Sequence, residues 1–238
     1  MRPTIVLVHG AFADSSSWDQ VIDVLLDAGH PVVAVANPLR GLAADAACVS
    51  DHLRSIEGPV VLVGHSYGGA VITNVNPEAA EILGLVYVAA FAPLPGDSCF
   101  ELSAVFPGST LGDALQAVSR SDGTTTDLLI VRERFHEQFA ADVPAPRAAR
   151  MAATQRPVTQ EALVEPSGER SLWQQLPSWF VFGEEDRNIP KAVQHYMAER
   201  ARAHRTIEIP GASHAVAVAH PGTTAGLILE AAALHAAA

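Results

Sequence analysis

Eleven residues constrain this chain more than any others: Val60-Val61-Leu62-Val63-Gly64-His65-Ser66-Tyr67-Gly68-Gly69-Ala70. A short apolar, β-branched run enters Gly-His-Ser-Tyr-Gly, a G-x-S-x-G pattern, and an apolar helical stretch follows at once. The reading is strand, sharp turn, helix. A serine at the apex of so tight a turn sits in strained backbone, and side chains two positions to either side would collide with neighbouring chain, so glycine stands at both. The turn pushes the Ser66 hydroxyl out at the carboxyl end of a buried strand, above the positive end of a helix.

The flanking chain repeats the same alternation. Thr4-Ile5-Val6-Leu7-Val8 is a continuous apolar run, as a strand buried on both faces requires, and further strands are expected at 31–36, 85–90, 178–182 and 206–209. Between them, apolar residues at helical spacing predict helices over 18–28, 43–56, 67–76, 190–201 and 221–237, with Gly29 and Gly58-Pro59 as stops and Pro190 and Pro221 as starts. Six strands joined in this way predict an α/β fold: a mainly parallel sheet with helices on both faces. From Pro93 to Pro177 the rhythm changes, with prolines and glycines punctuating helical pieces at 111–118, 132–141 and 145–155. We read residues 1–92 and 178–238 as the core and 93–177 as an inserted, mostly helical cap.

Composition removes several functions. A net charge of −11 without a local Lys/Arg cluster argues against nucleic acid or an anionic membrane as partner. No apolar run reaches membrane-spanning length, and the first strand leaves no room for a signal segment, so a cytoplasmic protein is expected. Cys48 and Cys99 lack a C-x-x-C spacing and read as free, packed thiols. No metal-ligand spacing, dinucleotide fingerprint or phosphate loop is present, so no metal and no cofactor are implied. The expected partner is a small molecule, bound by a monomer or homodimer.

Open parallel sheets place function at the carboxyl ends of their strands, which directs attention to three loops. They hold Ser66, the acidic run Gly183-Glu184-Glu185-Asp186-Arg187-Asn188-Ile189-Pro190, and Gly211-Ala212-Ser213-His214-Ala215. A serine needs a base to remove its proton, and imidazole does so near neutral pH, so His214 is the base expected. His220, abutting Pro221, is the weaker competitor. The other helix and turn histidines, His30, His52, His136, His195, His204 and His235, are expected at the surface. His65 and His9 are expected in structural roles, His9 ordering the loop after the first strand. Asp186 is chosen to orient His214 over Glu184 and Glu185, because the chain needs a few residues to curl beneath the histidine; Asp97 ranks next. Backbone N–H donors for a developing oxyanion are expected at Tyr67 and at Ala11, with Phe12 as the alternative, Gly10 permitting the backbone required.

His-Gly-Ala-Phe after the first strand, Gly-His-Ser-Tyr-Gly-Gly, Gly-Glu-Glu-Asp and Gly-Ala-Ser-His together resemble the α/β-hydrolase superfamily along essentially the whole chain. Within it the chain is similar to small bacterial esterases and to the plant methylesterase and hydroxynitrile lyase group, a likeness extended by Arg134-Phe135-His136-Glu137-Gln138-Phe139 and Gln155-Arg156-Pro157. The lyases of that group carry a threonine near the oxyanion loop and a lysine after the catalytic histidine, where this chain has Gly10 and Ala215. Ester hydrolysis through an acyl-enzyme on Ser66 is therefore the activity the resemblance implies. A lactonase or perhydrolase with the same residues, or a ligand receptor of the same fold, are the alternatives. Ser66 also excludes the aspartate route of the dehalogenases. Phe12, Phe91, Leu94, Phe100, Phe135, Phe139 and Met151 are expected to line an apolar substrate pocket.

Overall fold

The computed structural model describes residues 2–234 apart from Asp122 and Thr124, so His235 and the end of the helix expected over 221–237 lie outside the described residues. Its centre is a six-stranded sheet: β1 (Thr4–Val8), β2 (Val32–Val35), β3 (Pro59–His65), β4 (Glu81–Val88), and the later strands Ser178–Gly183 and Arg205–Ile209. Every pairing in it is parallel, in the spatial order β2, β1, β3, β4, Ser178–Gly183, Arg205–Ile209. β1 and the Ser178–Gly183 strand are buried at every residue, so both faces of the sheet must be covered.

The cover comes in packed pairs. α1 (Asp19–Asp27) buries Val21 and Leu25 and meets the last long helix, Pro221–Ala233, which lies against β3 and β4; α2 (Leu42–Leu53) packs on α3 (Tyr67–Thr73), which lies against β1, β3 and β4. β4 begins at Glu81, earlier than the apolar run suggests. Its pairing with β3 shifts register between Val60 and Val61, leaving Leu83 as the extra residue of a bulge beside Gly84.

The segment between β4 and the Ser178 strand departs most from expectation. It contains α4 (Cys99–Ser103), β5 (Leu115–Ser119), β6 (Thr126–Ile130), α5 (Arg132–Phe139), α6 (Ala145–Thr154), β7 (Val158–Thr159) and α7 (Gln160–Val164). β5, β6 and β7 form an antiparallel sheet of their own. The helix expected over 111–118 is instead a single 3-10 turn, Leu111–Ala114, running into β5. The segment is thus mixed rather than mostly helical: β5 and β6 satisfy each other's backbone groups, with β5 largely exposed and β6 partly buried. The chain then continues as β8 (Ser178–Gly183), α8 (Lys191–Arg200), β9 (Arg205–Ile209), α9 (Val216–Ala219) and α10 (Pro221–Ala233). No helix among the described residues is long and apolar enough to cross a membrane.

Candidate active site

Ser66 stands between β3 and α3 with φ 53° and ψ −123°, in the left-handed region that L-residues avoid. Backbone bonds hold it there: its N–H donates to Val88 O at 3.2 Å, and its carbonyl accepts from Gly69 N–H at 3.0 Å and Phe91 N–H at 3.1 Å. The flanking glycines have no room for a side chain. A Cβ on Gly64 would lie 2.5 Å from Gly68 O, and one on Gly68 would lie 2.3 Å from Val8 O. The close approach that the G-x-S-x-G pattern implies is therefore backbone against backbone.

The loops that carry Asp186 and His214 meet beside this turn. His214 Nδ1 lies 2.7 Å from Asp186 Oδ2, and both residues are buried. The other carboxylate oxygen, Oδ1, accepts the N–H groups of Asn188 at 2.8 Å and Ile189 at 3.0 Å, so the acidic loop folds around its own side chain. Three donors thus compensate a carboxylate taken out of water. His214 Nε2 is buried and has no protein partner, and His214 and Ser66 line one cavity.

His65 and Phe139 hold His214 in place, and Asp142 ties down the residue before it. His65 Nε2 donates to the His214 carbonyl at 3.1 Å, and the edge of the Phe139 ring packs on the imidazole at 4.9 Å between centroids. Ser213 Oγ donates to Asp142 Oδ1 at 2.5 Å, while His220 Nε2 lies 3.1 Å from Asp142 Oδ2. His220 is thereby engaged away from Ser66. Burial, reinforced by the nearby His214, pushes the His65 pKa down to about 3, so His65 is a neutral Nε2–H donor. His9 is fixed in the opposite tautomer. Asn37 N–H donates to its Nε2 at 3.0 Å, which leaves Nδ1–H to donate to Gly10 O at 3.0 Å; burial lowers its pKa as well.

The N–H groups of Ala11, Phe12 and Tyr67 carry no hydrogen bond to the protein among the described residues, and all three residues line the cavity. The left-handed residue in the first loop is Phe12, at φ 60°, rather than Gly10. Gly10 is needed for space, since a Cβ there would stand 2.6 Å from Ser66 Cβ. Below the turn, Tyr67 donates its hydroxyl to the buried Asp45 at 2.8 Å, and Asp45 also accepts Arg40 N–H. Burial raises the Asp45 pKa and drives the Tyr67 hydroxyl far above its usual range.

The cavity measures about 430 Å³ and is walled by Phe12, Phe91, Phe100, Leu111, Leu115, Leu128, Leu163, Val164 and Ile189, with Cys99, Ser109 and Asn188 among its polar neighbours. Of the expected pocket residues, Phe12, Phe91 and Phe100 are on this wall; Leu94, Phe135, Phe139 and Met151 are not. Phe135 and Phe139 are fully buried and stack on each other, and Phe139 packs against His214. Leu94 is packed against the core, and its N–H bonds Asp97, whose carboxylate pairs with Arg200. Met151 lines a second cavity that shares only Phe12 with the first. Sequence reasoning missed Leu111, Leu115, Leu128, Leu163 and Asn188; the first four belong to the mixed segment whose strands it did not anticipate.

Residues 5–227 match the family model described as the alpha/beta hydrolase family. The chain belongs to that family. It is 28% identical to the pyrethroid hydrolase of Sphingobium wenxiniae over 232 residues, spanning 89% of this chain and 81% of the relative. It is 37% identical to the carbendazim hydrolyzing esterase of Nocardioides sp. over 110 residues, which is 41% of this chain and less than half, 46%, of that relative. The solved structure of a methylesterase from Arabidopsis superposes with a TM-score of 0.81 at 18% identity, covering 98% of this chain and 99% of that one. At that identity the likeness establishes the fold.

Proposed function

We propose that this hydrolase is a serine carboxylesterase acting on small, fairly apolar esters. The observation that carries the reading is the 2.7 Å pairing of buried Asp186 with His214, which lines the same cavity as Ser66. Ser66 Oγ attacks the ester carbonyl as His214 Nε2 takes its proton, and Asp186 keeps Nδ1 protonated and steadies the imidazolium that forms. The oxyanion is held by the unengaged N–H groups of Tyr67 and of Ala11 or Phe12. His214 then returns the proton to the departing alkoxide. Water, deprotonated by the same imidazole, attacks the acyl-enzyme and releases the acid and Ser66.

The aliphatic and aromatic wall supports an apolar substrate. Segment 93–177 serves as the cap, since it supplies Phe100, Leu111, Leu115, Leu128 and Leu163 to that wall while the core supplies the reacting groups. The two unpaired thiols fit a reducing cytoplasm.

The test is the burst of p-nitrophenol from p-nitrophenyl acetate, followed with the parent protein and with Ser66→Ala, with intact mass read during turnover. Acylation of the parent by one acetyl group, together with a silent variant, is expected. Equal rates from both proteins would remove Ser66 from the mechanism.

A further inference from the structure

One buried donor in the cavity wall is left without work by the proposed chemistry. Asn188 lies two residues beyond Asp186, is 3% exposed, and borders the cavity with Ser66 and His214. Its main chain is fully engaged: the N–H donates to Asp186 Oδ1 at 2.8 Å and the carbonyl accepts from Ser109 Oγ at 2.9 Å. Its side chain is half engaged. Oδ1 accepts from Gln138 Nε2 at 2.8 Å, while Nδ2 is buried with no hydrogen-bond partner.

The orientation of that amide follows from its neighbours. Gln138 Nε2 also donates to the Arg187 carbonyl at 2.9 Å, and a carbonyl can only accept, so this end of Gln138 must be the nitrogen. Its oxygen, at the other end, accepts from Thr110 Oγ1 at 2.9 Å. A nitrogen facing Asn188 requires an oxygen in reply. The Asn188 Nδ2, with two N–H groups, is therefore held away from Gln138 by a chain of bonds that begins at a backbone carbonyl. The other cavity amide and hydroxyl of the inserted segment differ: Gln160 is exposed and Ser103 Oγ donates to Phe100 O, so neither is a stranded donor.

Buried amides without partners are rare in folded proteins, and each such group calls for an acceptor from somewhere. We propose that Asn188 is a specificity-determining residue whose Nδ2 donates to a second hydrogen-bond acceptor on the substrate, a carbonyl or ether oxygen distinct from the scissile ester. This rests on the esterase reading and narrows it: the preferred esters are apolar molecules carrying one additional acceptor oxygen, rather than plain hydrocarbon esters.

The experiment measures binding of intact esters to Ser66→Ala protein by calorimetry, which needs no turnover. The probes are ethyl hexanoate, its 3-oxo, 4-oxo and 5-oxo analogues, and the hexanoates of butanol and 2-methoxyethanol, so that each acceptor has a hydrocarbon match. At least one acceptor-bearing ester is expected to bind roughly tenfold tighter than its match, the value of one neutral hydrogen bond that would otherwise go unmade. Adding Asn188→Ala should bring that ratio to one or below. Asn188→Asp keeps the oxygen that Gln138 requires and replaces the donor with an acceptor, so the ratio should invert; this variant decides the matter should the alanine protein not fold. A parent without preference for any acceptor-bearing ester, or a preference that survives either substitution, overturns the proposal. Turnover by the protein with Ser66 intact is scored separately: its absence sinks the esterase reading, whereas a lost binding margin in the Ser66→Ala background concerns Asn188 alone.

Discussion

Replacing Gly183 by alanine should damage activity far more than stability. Gly183 is the last residue of β8, where the loop carrying Asp186 leaves the sheet, and a Cβ built on it lies 2.2 Å from Ala212 O and 2.5 Å from Ser213 O. Those carbonyls belong to the two residues before His214. Real Cβ contacts do not fall below 3.0 Å, so the loop carrying His214 must retreat by about 0.8 Å. The loops cannot easily separate elsewhere, because Glu184 N–H donates to Ile209 O at 3.0 Å and Glu185 N–H to Ala212 O at 2.9 Å. Taken along the His214–Asp186 vector, that retreat stretches their 2.7 Å bond to about 3.5 Å, the edge of hydrogen bonding. A misplacement of about 1 Å in reacting groups costs on the order of 10²-fold in rate. Overpacking of this kind costs about 1–3 kcal/mol, or roughly 2–12 °C in melting temperature for a chain of this size. We expect kcat for p-nitrophenyl acetate to fall about a hundredfold in a protein that still melts cooperatively by circular dichroism. Gly226→Ala is the control: it lies within α10 with open space around its Cβ, so it should hold kcat and, if anything, raise the melting temperature. A Gly183→Ala protein with kcat within threefold of the parent would show that close approach of the two loops does not set the geometry of the pair.

Asp186→Asn keeps the shape but offers an NH₂ where one of three donors needs an acceptor, so kcat should fall by about 10³ to 10⁴ in steady-state assays, and a loss under tenfold would deny Asp186 its orienting role. His65 has a folded-state pKa of about 3 against 6.5 for the free side chain, so between those values the unfolded chain binds the extra proton and stability must fall as pH falls. Urea midpoints of parent and His65→Gln should therefore converge between pH 7 and pH 4; a constant gap would refute the assignment of a neutral buried imidazole. Burial raises the Cys99 pKa steeply, so iodoacetamide at pH 8 should leave Cys99 unlabelled in native protein and label it in urea, as read by peptide mapping. Labelling in the native state at the rate of a free thiol would mean that this wall of the cavity opens.

The parallel core was readable because strands buried on both faces leave continuous apolar runs, as in Thr4–Val8, and because the turn around Ser66 tolerates only glycine at two fixed positions. The inserted segment was not, for the opposite reason. β5 and β6 are half exposed and carry neither a clean alternation nor a long apolar run, and the one local signal was the Asp-Gly pair at 122–123 between them. The pocket failed at a finer level. Phe135 and Phe139 are apolar and fall on one helix, as expected, but which way α5 turns them depends on packing against His65 and His214, groups far away in sequence. Asn188 carried no signal in the linear chain, since its significance lies in a partner it lacks.

Two buried carboxylates show how the inserted segment and the reacting groups come to share a frame. Asp186 is saturated by the loop that carries it and by His214, so its geometry is set within the core. Asp45 is different. It receives the hydroxyl of Tyr67, a cavity-lining residue, and the N–H of Arg40, whose guanidinium reaches Asp127 of β6 at 2.5 Å and Pro157 O at 3.2 Å. Thr159 reinforces the same join, donating its hydroxyl to Arg40 O at 3.0 Å. A half-exposed ion pair such as Arg40–Asp127 contributes little to stability by itself. Its consequence is positional: losing it frees a loop whose main chain is one of the few partners of a buried carboxylate, and leaving that carboxylate short of a donor is the costly outcome. Any shift in how the inserted segment sits is thereby transmitted, through one fully desolvated group, to Tyr67, the residue next to Ser66 for which an oxyanion contact is proposed.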